Sequence, residues 1–136
     1  MRIVVTGPRQ WEDYQALESG LRQVVMEVER PLIAITLTEG EADGFDLMSK
    51  EIAESFGWGV HPVPALWRPG GIYDPKAGFA RNEKMMKEGH DICVAGIMAC
   101  EKKGCAIDRS HHSHGTANAI RWARSEGIPL RKVYPS

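Results

Sequence analysis

Short apolar runs alternate along this chain with segments whose apolar residues recur every three or four positions. The run Ile3-Val4-Val5 is compact enough for a buried strand, and a helical periodicity follows it from Tyr14 to Val28. Regular alternation of strands and helices is typical of a parallel sheet covered by helices. The pattern therefore predicts an α/β fold, a Rossmann-like three-layer sandwich with a mainly parallel sheet of about five strands and helices on both faces.

The predicted elements follow one another without a long linker, an internal repeat or a low-complexity segment. We therefore expect residues 1–136 to form a single domain, with a Cys/His-rich insert at about residues 97–114. The apolar pattern places strands at residues 3–5, 32–37, 59–63, 91–95 and 130–134, and helices at residues 14–28, 45–56, 80–87 and 116–125.

Composition narrows the classes of protein that fit this pattern. The chain has 17 Lys and Arg against 18 Asp and Glu, a net charge of -1, so the strongly basic surface typical of nucleic-acid binding is not expected. The first residues do not resemble a secretory signal, and the apolar runs are too short to span a membrane. Three cysteines do not form a self-contained disulfide framework, which favours a cytoplasmic protein.

In open parallel sheets, ligands bind beyond the carboxyl ends of the strands, and the turn after the first strand lies at that edge. Gly7 would allow close backbone approach to a ligand, and Thr6 and Arg9 could contact a phosphate or a base. The alternative is a tight turn with a solvated arginine. Trp11 and Trp67 lie in loops at the same edge, where each could either stack on a base or pack half-buried against its loop.

The second turn, residues 39–46, precedes the second helix. Gly40 and Gly44 are spaced like the glycines of a phosphate-binding turn at a helix N-terminus. Four nearby carboxylates would oppose an anion, however. Asp43 or Asp46 could instead cap the helix or bind ribose hydroxyls.

Two further sites complete the predicted edge. Gly115 and Thr116 open the last helix, where backbone amides and a hydroxyl could bind an anion, although a plain helix cap would explain them equally well. The pair Arg81-Asn82 is predicted at the start of the third helix, where a cation opposes the helix dipole. A ligand or an ion pair would explain this placement, and the alternative is a solvated arginine.

In this order the four segments resemble the YspA-like branch of the SLOG superfamily, whose Rossmann-like members are related to the LOG nucleotide hydrolases and the DNA-processing protein A family. The matching segments are Thr6-Gly7-Pro8-Arg9 with Trp11, residues 38–46, Arg81-Asn82 and Ser113-His114-Gly115-Thr116. The resemblance implies a nucleotide-derived ligand. The predicted ligand-binding residues are Thr6, Gly7, Arg9, Trp11, Gly40, Gly44, Asp46, Arg81, Asn82, Gly115 and Thr116.

The chain departs from the related families at two places that affect function. Glu39 and Glu41 stand in the second turn where the pattern has small residues, and Ala119 stands where the LOG hydrolases carry a catalytic glutamate. We therefore expect binding or sensing of a nucleotide or nucleotide-derived small molecule. The alternative is a hydrolase of N-glycosidic or phosphate bonds, so the sequence leaves open whether the protein is an enzyme.

The insert contains a second kind of candidate chemistry. Cys100, Cys105, His111 and His114 could supply two thiolates and two imidazoles to a structural zinc ion. The alternative is a flexible polar loop with incidental histidines. If zinc is bound, a second alternative function is a zinc-containing nucleic-acid-binding module. The sequence also leaves open whether the chain forms a homo-oligomer.

Overall fold

A computed structural model of the chain describes residues 1–28, 34–99 and 114–136. Strands and helices alternate throughout these residues, as the sequence predicts. The strands are β1 (Arg2–Thr6), β2 (Thr36–Glu39), β3 (Gly59–Pro62), β4 (Ile92–Gly96) and β5 (Leu130–Val133). The helices are α1 (Tyr14–Met26), α2 (Phe45–Ser55), α3 (Ala77–Lys87) and α4 (His114–Ser125), with a short 3-10 turn at Pro69–Gly71.

The five strands form one parallel sheet in the order β3-β2-β1-β4-β5. The predicted fold class is therefore confirmed. The chain winds outwards from β1 to β3 and then crosses back, so that β4 pairs with the other side of β1. This reversal places the topological switch point between the carboxyl ends of β1 and β4, where ligands bind in such sheets.

The two faces of the sheet carry separate apolar clusters. Ile3 and Val5 pack with residues of α1 and α2, whereas Val4 packs with residues of α3 and α4. Successive residues of a strand point to opposite faces, so the continuous apolar run of β1 serves both clusters. All three side chains are fully buried. A strand apolar on both sides is what fixes β1 in the centre of the sheet.

The observed bounds of two elements correct the predicted ones. β2 ends at Glu39 rather than at residue 37, because Glu39 still pairs with Pro62 of β3 although its side chain is ionisable. Helix α3 begins at Ala77 rather than at residue 80, after a turn in which Asp74 accepts hydrogen bonds from the backbone of Lys76 and Ala77. Arg81 therefore lies in the second turn of α3, and the prediction that it begins the helix is wrong.

In the part of the chain that the structure describes, we find no helix with the length and apolar character needed to cross a membrane.

Candidate functional site

A cleft of about 540 Å³ opens beyond the carboxyl ends of β1 and β4. We call it the main cleft. The first turn, the second turn, helix α3 and the start of α4 all contribute to it, so the structure brings the four predicted segments together. Its lining includes Thr6, Gly7, Arg9, Asp46, Arg81, Asn82, Gly115 and Thr116 from the predicted set, together with Trp67, Phe79, Met85 and His114.

The side chain of Phe45, the first residue of α2, is fully buried next to the ends of β1 and β4. A Cβ atom placed on Gly7 or on Gly96 would overlap the Phe45 ring. Both positions need glycine because the Phe45 ring packs directly against their backbone beneath the switch point. Gly7 therefore makes room for a protein side chain, which is a different reason from the ligand approach that the sequence suggested.

The first and second turns are also packed against each other through their backbones. The Pro8 carbonyl accepts hydrogen bonds from the backbone N–H of Trp11, at 3.2 Å, and of Phe45, at 3.3 Å. Gly44 has a φ of 76°, and a Cβ atom there would overlap the Arg9 carbonyl group. The two turns thus form a single packed unit that presents its outer side to the cleft.

Asp46 is the ionisable group at the base of the main cleft. Its Oδ2 accepts the N–H groups of Gly40, at 3.2 Å, and Ala42, at 3.4 Å, which holds the second turn closed. Its Oδ1 is buried and has no hydrogen-bond partner among the described residues. Burial raises the pKa of Asp46 to about 6, against the opposing effects of Arg81, these two N–H groups and Arg9. A buried acceptor of this kind is suited to receive a hydrogen bond from a ligand.

Glu39 occupies the start of the second turn but does not belong to the lining of the main cleft. It is fully buried, and burial raises its pKa to about 8, with the neighbouring carboxylates of Glu41 and Asp46 acting in the same direction. One carboxyl oxygen accepts the Glu41 N–H. A carboxyl group with a raised pKa favours its neutral form, so Glu39 adds less negative charge beside the cleft than the number of acidic residues in the second turn suggests.

Arg81 and Asn82 connect three of the four segments. The Arg81 guanidinium donates to the Gly40 carbonyl and, at 2.8 Å, to Asn82 Oδ1. The Asn82 amide in turn donates to the Gly115 carbonyl at 3.3 Å and to Asn118 Oδ1 at 3.1 Å. The pair therefore has a structural role, which is to hold the second turn and the start of α4 against α3.

Helix α4 begins at the main cleft with His114, Gly115 and Thr116. Here the positive end of the helix dipole faces the cavity, an arrangement that favours an anion. A Cβ atom on Gly115 would meet none of the described residues within 4 Å, so on their side the position has room for a side chain. Ala119, where the LOG hydrolases have their glutamate, is fully buried in the cluster beneath α4.

The two loop tryptophans have different environments. Trp11 is only 2% exposed, meets the Phe45 ring edge to face at 5.1 Å between centroids, and donates its indole N–H to the Asp13 carbonyl. The Trp11 ring is thus enclosed in the core and does not belong to the lining of the main cleft, so the structure lends no support to the predicted ligand contact. Trp67, in contrast, is half-buried and lines the main cleft.

Sequence reasoning missed the contribution of the rest of α3 to the cleft. Gly78, Arg81, Asn82 and Met85 all line it. Their spacing of three, one and three residues places them on one face of a helix. This periodicity was hidden because the helix was predicted to begin at residue 80, after Gly78.

The zinc hypothesis concerns Cys100, Cys105, His111 and His114. The first three lie outside the described residues, and only His114 is placed, at the start of α4 beside the main cleft. Among residues 1–28, 34–99 and 114–136, no group of three or more His, Cys, Asp or Glu side chains could hold a metal ion.

Three comparisons relate this chain to known proteins. The model of the YAcAr family, described as the YspA, cpYpsA-related SLOG family, matches residues 1–70. The chain is 28% identical to the Gene 61 protein of Mycobacterium phage D29 over 135 residues, which cover 95% of this chain and 93% of that protein.

The fold is similar to that of DNA processing protein A (DprA) from Streptococcus pneumoniae, with a TM-score of 0.67 and 13% sequence identity. The similarity covers 96% of this chain and 49% of DprA, so the chain spans about half the length of that protein. At this identity the comparison shows the fold.

Proposed function

The chain belongs to the YspA, cpYpsA-related SLOG family, and from this premise we propose that it binds or senses a nucleotide or nucleotide-derived small molecule in the main cleft. One observation carries the proposal. The buried Oδ1 of Asp46 lacks a protein partner within the described residues, and Asp46 lines the same cavity as the cationic residues Arg9 and Arg81. A ligand with both hydroxyl donors and a phosphate would satisfy this combination.

The charges around the main cleft support an orientation for such a ligand. Arg9 is exposed and Arg81 half-buried, and the start of α4 adds the positive end of a helix dipole. We place the phosphate between Arg9 and the start of α4. A sugar hydroxyl would then donate to Asp46 at the base of the cleft.

Equilibrium binding by calorimetry tests the proposal, with AMP, ADP and ADP-ribose as probes. Arg9→Ala removes an exposed cation from the cleft, so we expect about tenfold or greater loss of affinity for whichever probe binds. Arg124→Ala, in the last turn of α4, removes the same charge at a distance from the cleft and should leave the affinity unchanged. The proposal fails if none of the probes binds the wild-type protein, or if both variants bind alike.

A hydrolase is the second candidate, and the pKa of Asp46 is the observation that favours it. A carboxyl with a pKa of about 6 in a cleft has the property required of a general acid or base near neutral pH. Ala119 stands where the LOG hydrolases have their catalytic glutamate, and an alanine cannot supply a carboxylate, which argues against their reaction. Chromatography of nucleoside monophosphates after incubation would decide. Release of base or phosphate by the wild-type protein, lost in Asp46→Asn, would establish turnover.

Nucleic-acid binding is a third candidate, motivated by the name of the structurally similar DNA processing protein A. The net charge of -1 gives it little electrostatic support. Binding to a labelled single strand that weakens steeply with added salt would favour this candidate over a small-molecule ligand.

A further inference from the structure

A second cavity of about 240 Å³ adjoins the main cleft on the side of β2 and β3. We call it the side compartment. Arg9, Ala42, Trp67 and Arg81 border both cavities, so the two are neighbouring parts of one depression. The remaining walls of the side compartment come from the second turn and from the loop after β3, namely Gly40, Glu41, Asp43, Pro64 and Ala65.

Trp67 is held in position between the two cavities by its own loop. The Trp67 carbonyl accepts the Asp74 N–H at 2.6 Å, which closes the loop, and the Tyr73 ring stacks on the indole with centroids 6.2 Å apart and an interplanar angle of 15°. On the side of α3, a Cβ atom on Gly78 would lie 3.1 Å from the indole edge. The indole is therefore a fixed surface that the fold builds into the site.

The Arg9 guanidinium lies over the Trp67 ring, 5.6 Å from its centroid. A guanidinium is a planar group that stacks on aromatic faces, as a nucleobase does. At an exposed site such a cation–π contact changes an equilibrium only a few-fold, whereas stacking of a base on an aromatic side chain contributes about tenfold or more. A base would therefore displace Arg9 from the ring.

The charges of the two cavities set the direction of the ligand. Glu41 and Asp43 border the side compartment and disfavour an anion there. The main cleft instead offers Arg81 and the start of α4. A nucleotide consequently fits with its base towards Trp67 and its phosphate in the main cleft, where the displaced Arg9 guanidinium can reach it.

We propose that Trp67 is the base-stacking residue of this site, and that Arg9 occupies the place of the base until the nucleotide binds and then turns to its phosphate. This inference rests on the proposed nucleotide-binding function. It adds the residue that distinguishes a nucleotide from a sugar phosphate lacking a base.

Calorimetric titration with AMP and with ribose 5-phosphate tests the role of Trp67, because the two probes share the sugar phosphate and differ in the base. We expect the wild-type protein to prefer AMP by about tenfold or more. Trp67→Ala should weaken AMP about tenfold and leave ribose 5-phosphate unchanged, and Trp67→Phe should retain part of the preference. Arg9→Ala provides the contrast, because it should weaken both probes.

The outcomes separate this inference from the proposed function. Equal weakening of both probes in Trp67→Ala would mean that Trp67 only supports the loop, and an unchanged affinity for AMP would mean that it does not touch the base. Either result overturns the inference while nucleotide binding stands. Failure of AMP, ADP, ADP-ribose and ribose 5-phosphate alike to bind the wild-type protein would overturn the proposed function and the inference together. Trp67→Phe, which keeps an aromatic ring in the loop, covers the case in which Trp67→Ala does not fold.

Discussion

The first two turns of the site and the start of α4 all contain glycine, but the glycines have different reasons to be there. In the two turns, Gly7 makes room for the Phe45 ring and Gly44 for the Arg9 carbonyl. At the start of α4, a Cβ atom on Gly115 would meet none of the residues that the structure describes within 4 Å. The difference shows that glycine spacing indicates a close approach of some group to the backbone, but not whether that group belongs to the protein or to a ligand.

Gly44→Ala should have the largest effect in this comparison. The new methyl group would combine a φ of 76°, which L-residues rarely adopt, with overlap of the Arg9 carbonyl. The combination of φ 76° with ψ -117° lies outside the left-handed helical region and is open essentially to glycine alone. Strain of about 2 kcal/mol and overpacking of about 2 kcal/mol give an expected loss of about 4 kcal/mol in the free energy of unfolding. Urea denaturation measures this loss.

Gly57→Ala is the control for a positive φ without a steric overlap. Gly57 has a φ of 78°, but a Cβ atom there meets none of the described residues within 4 Å. We expect a loss of about 1 kcal/mol from backbone strain alone. Equal losses in the two variants would show that the turns are not packed against each other as described.

Gly7→Ala should cost about 2 kcal/mol, because its methyl group would overlap the Phe45 ring without backbone strain. Gly115→Ala should leave the free energy of unfolding unchanged or raise it by up to about 1 kcal/mol, because alanine favours a helix and the position is open. Thermal and urea unfolding of both variants would contradict the comparison if Gly115→Ala proved as destabilising as Gly7→Ala.

Asp46→Asn should change how stability depends on pH. Burial raises the pKa of Asp46 to about 6 in the folded protein, from 3.8, so the folded state holds this proton more tightly than the unfolded state. Stability contributed by the protonated carboxyl is therefore present below about pH 4 and lost as the pH rises through about 6. As the pH rises between these limits, we expect the variant to gain about 3 kcal/mol relative to wild type. Parallel stability curves for the two proteins would contradict this.

Glu41→Gly should have the smallest effect on the free energy of unfolding, and its stability relative to Glu41→Ala tests whether the backbone at this position is strained. Glu41 has a φ of 60° and a partly exposed ion pair with Lys50. At most positions glycine is less stabilising than alanine, but here it relieves backbone strain. We expect Glu41→Gly to lie within about 0.5 kcal/mol of wild type and to unfold at a higher urea concentration than Glu41→Ala. The opposite order would show that the turn relaxes around the substituted residue.

Much of the fold could be predicted because its signals are local. The apolar run of β1 and the periodicity of α1 are properties of consecutive residues, and parallel α/β architecture follows from their alternation. The predicted bounds of strands and helices are wrong where contacts with residues distant in the sequence determine them. Glu39 extends β2 because it pairs with Pro62 of β3. Gly78 is typical of a loop in the sequence, but it lies in helix α3, where the indole of Trp67 packs against it.

The candidate site was predicted less completely, for the same physical reason. Thr6, Arg9 and Asp46 were identified because parallel strands end at a common edge. Trp11 and Trp67 looked equivalent along the chain, yet one ring is enclosed beside Phe45 and the other borders both cavities. Burial depends on which elements pack over a loop, and spacing along the chain does not contain that information.

The alternation of strands and helices, the ordered set of four loop segments and the family they indicate can all be recognised from the amino-acid sequence. These properties depend on short stretches of chain. Packing in three dimensions, by contrast, determines which glycines lie against other described residues, how Arg81 and Asn82 hold three segments together, and why Asp46 retains a buried oxygen without a partner among the described residues. Each of these depends on groups that are far apart in the chain and meet only when β1 and β4 pair.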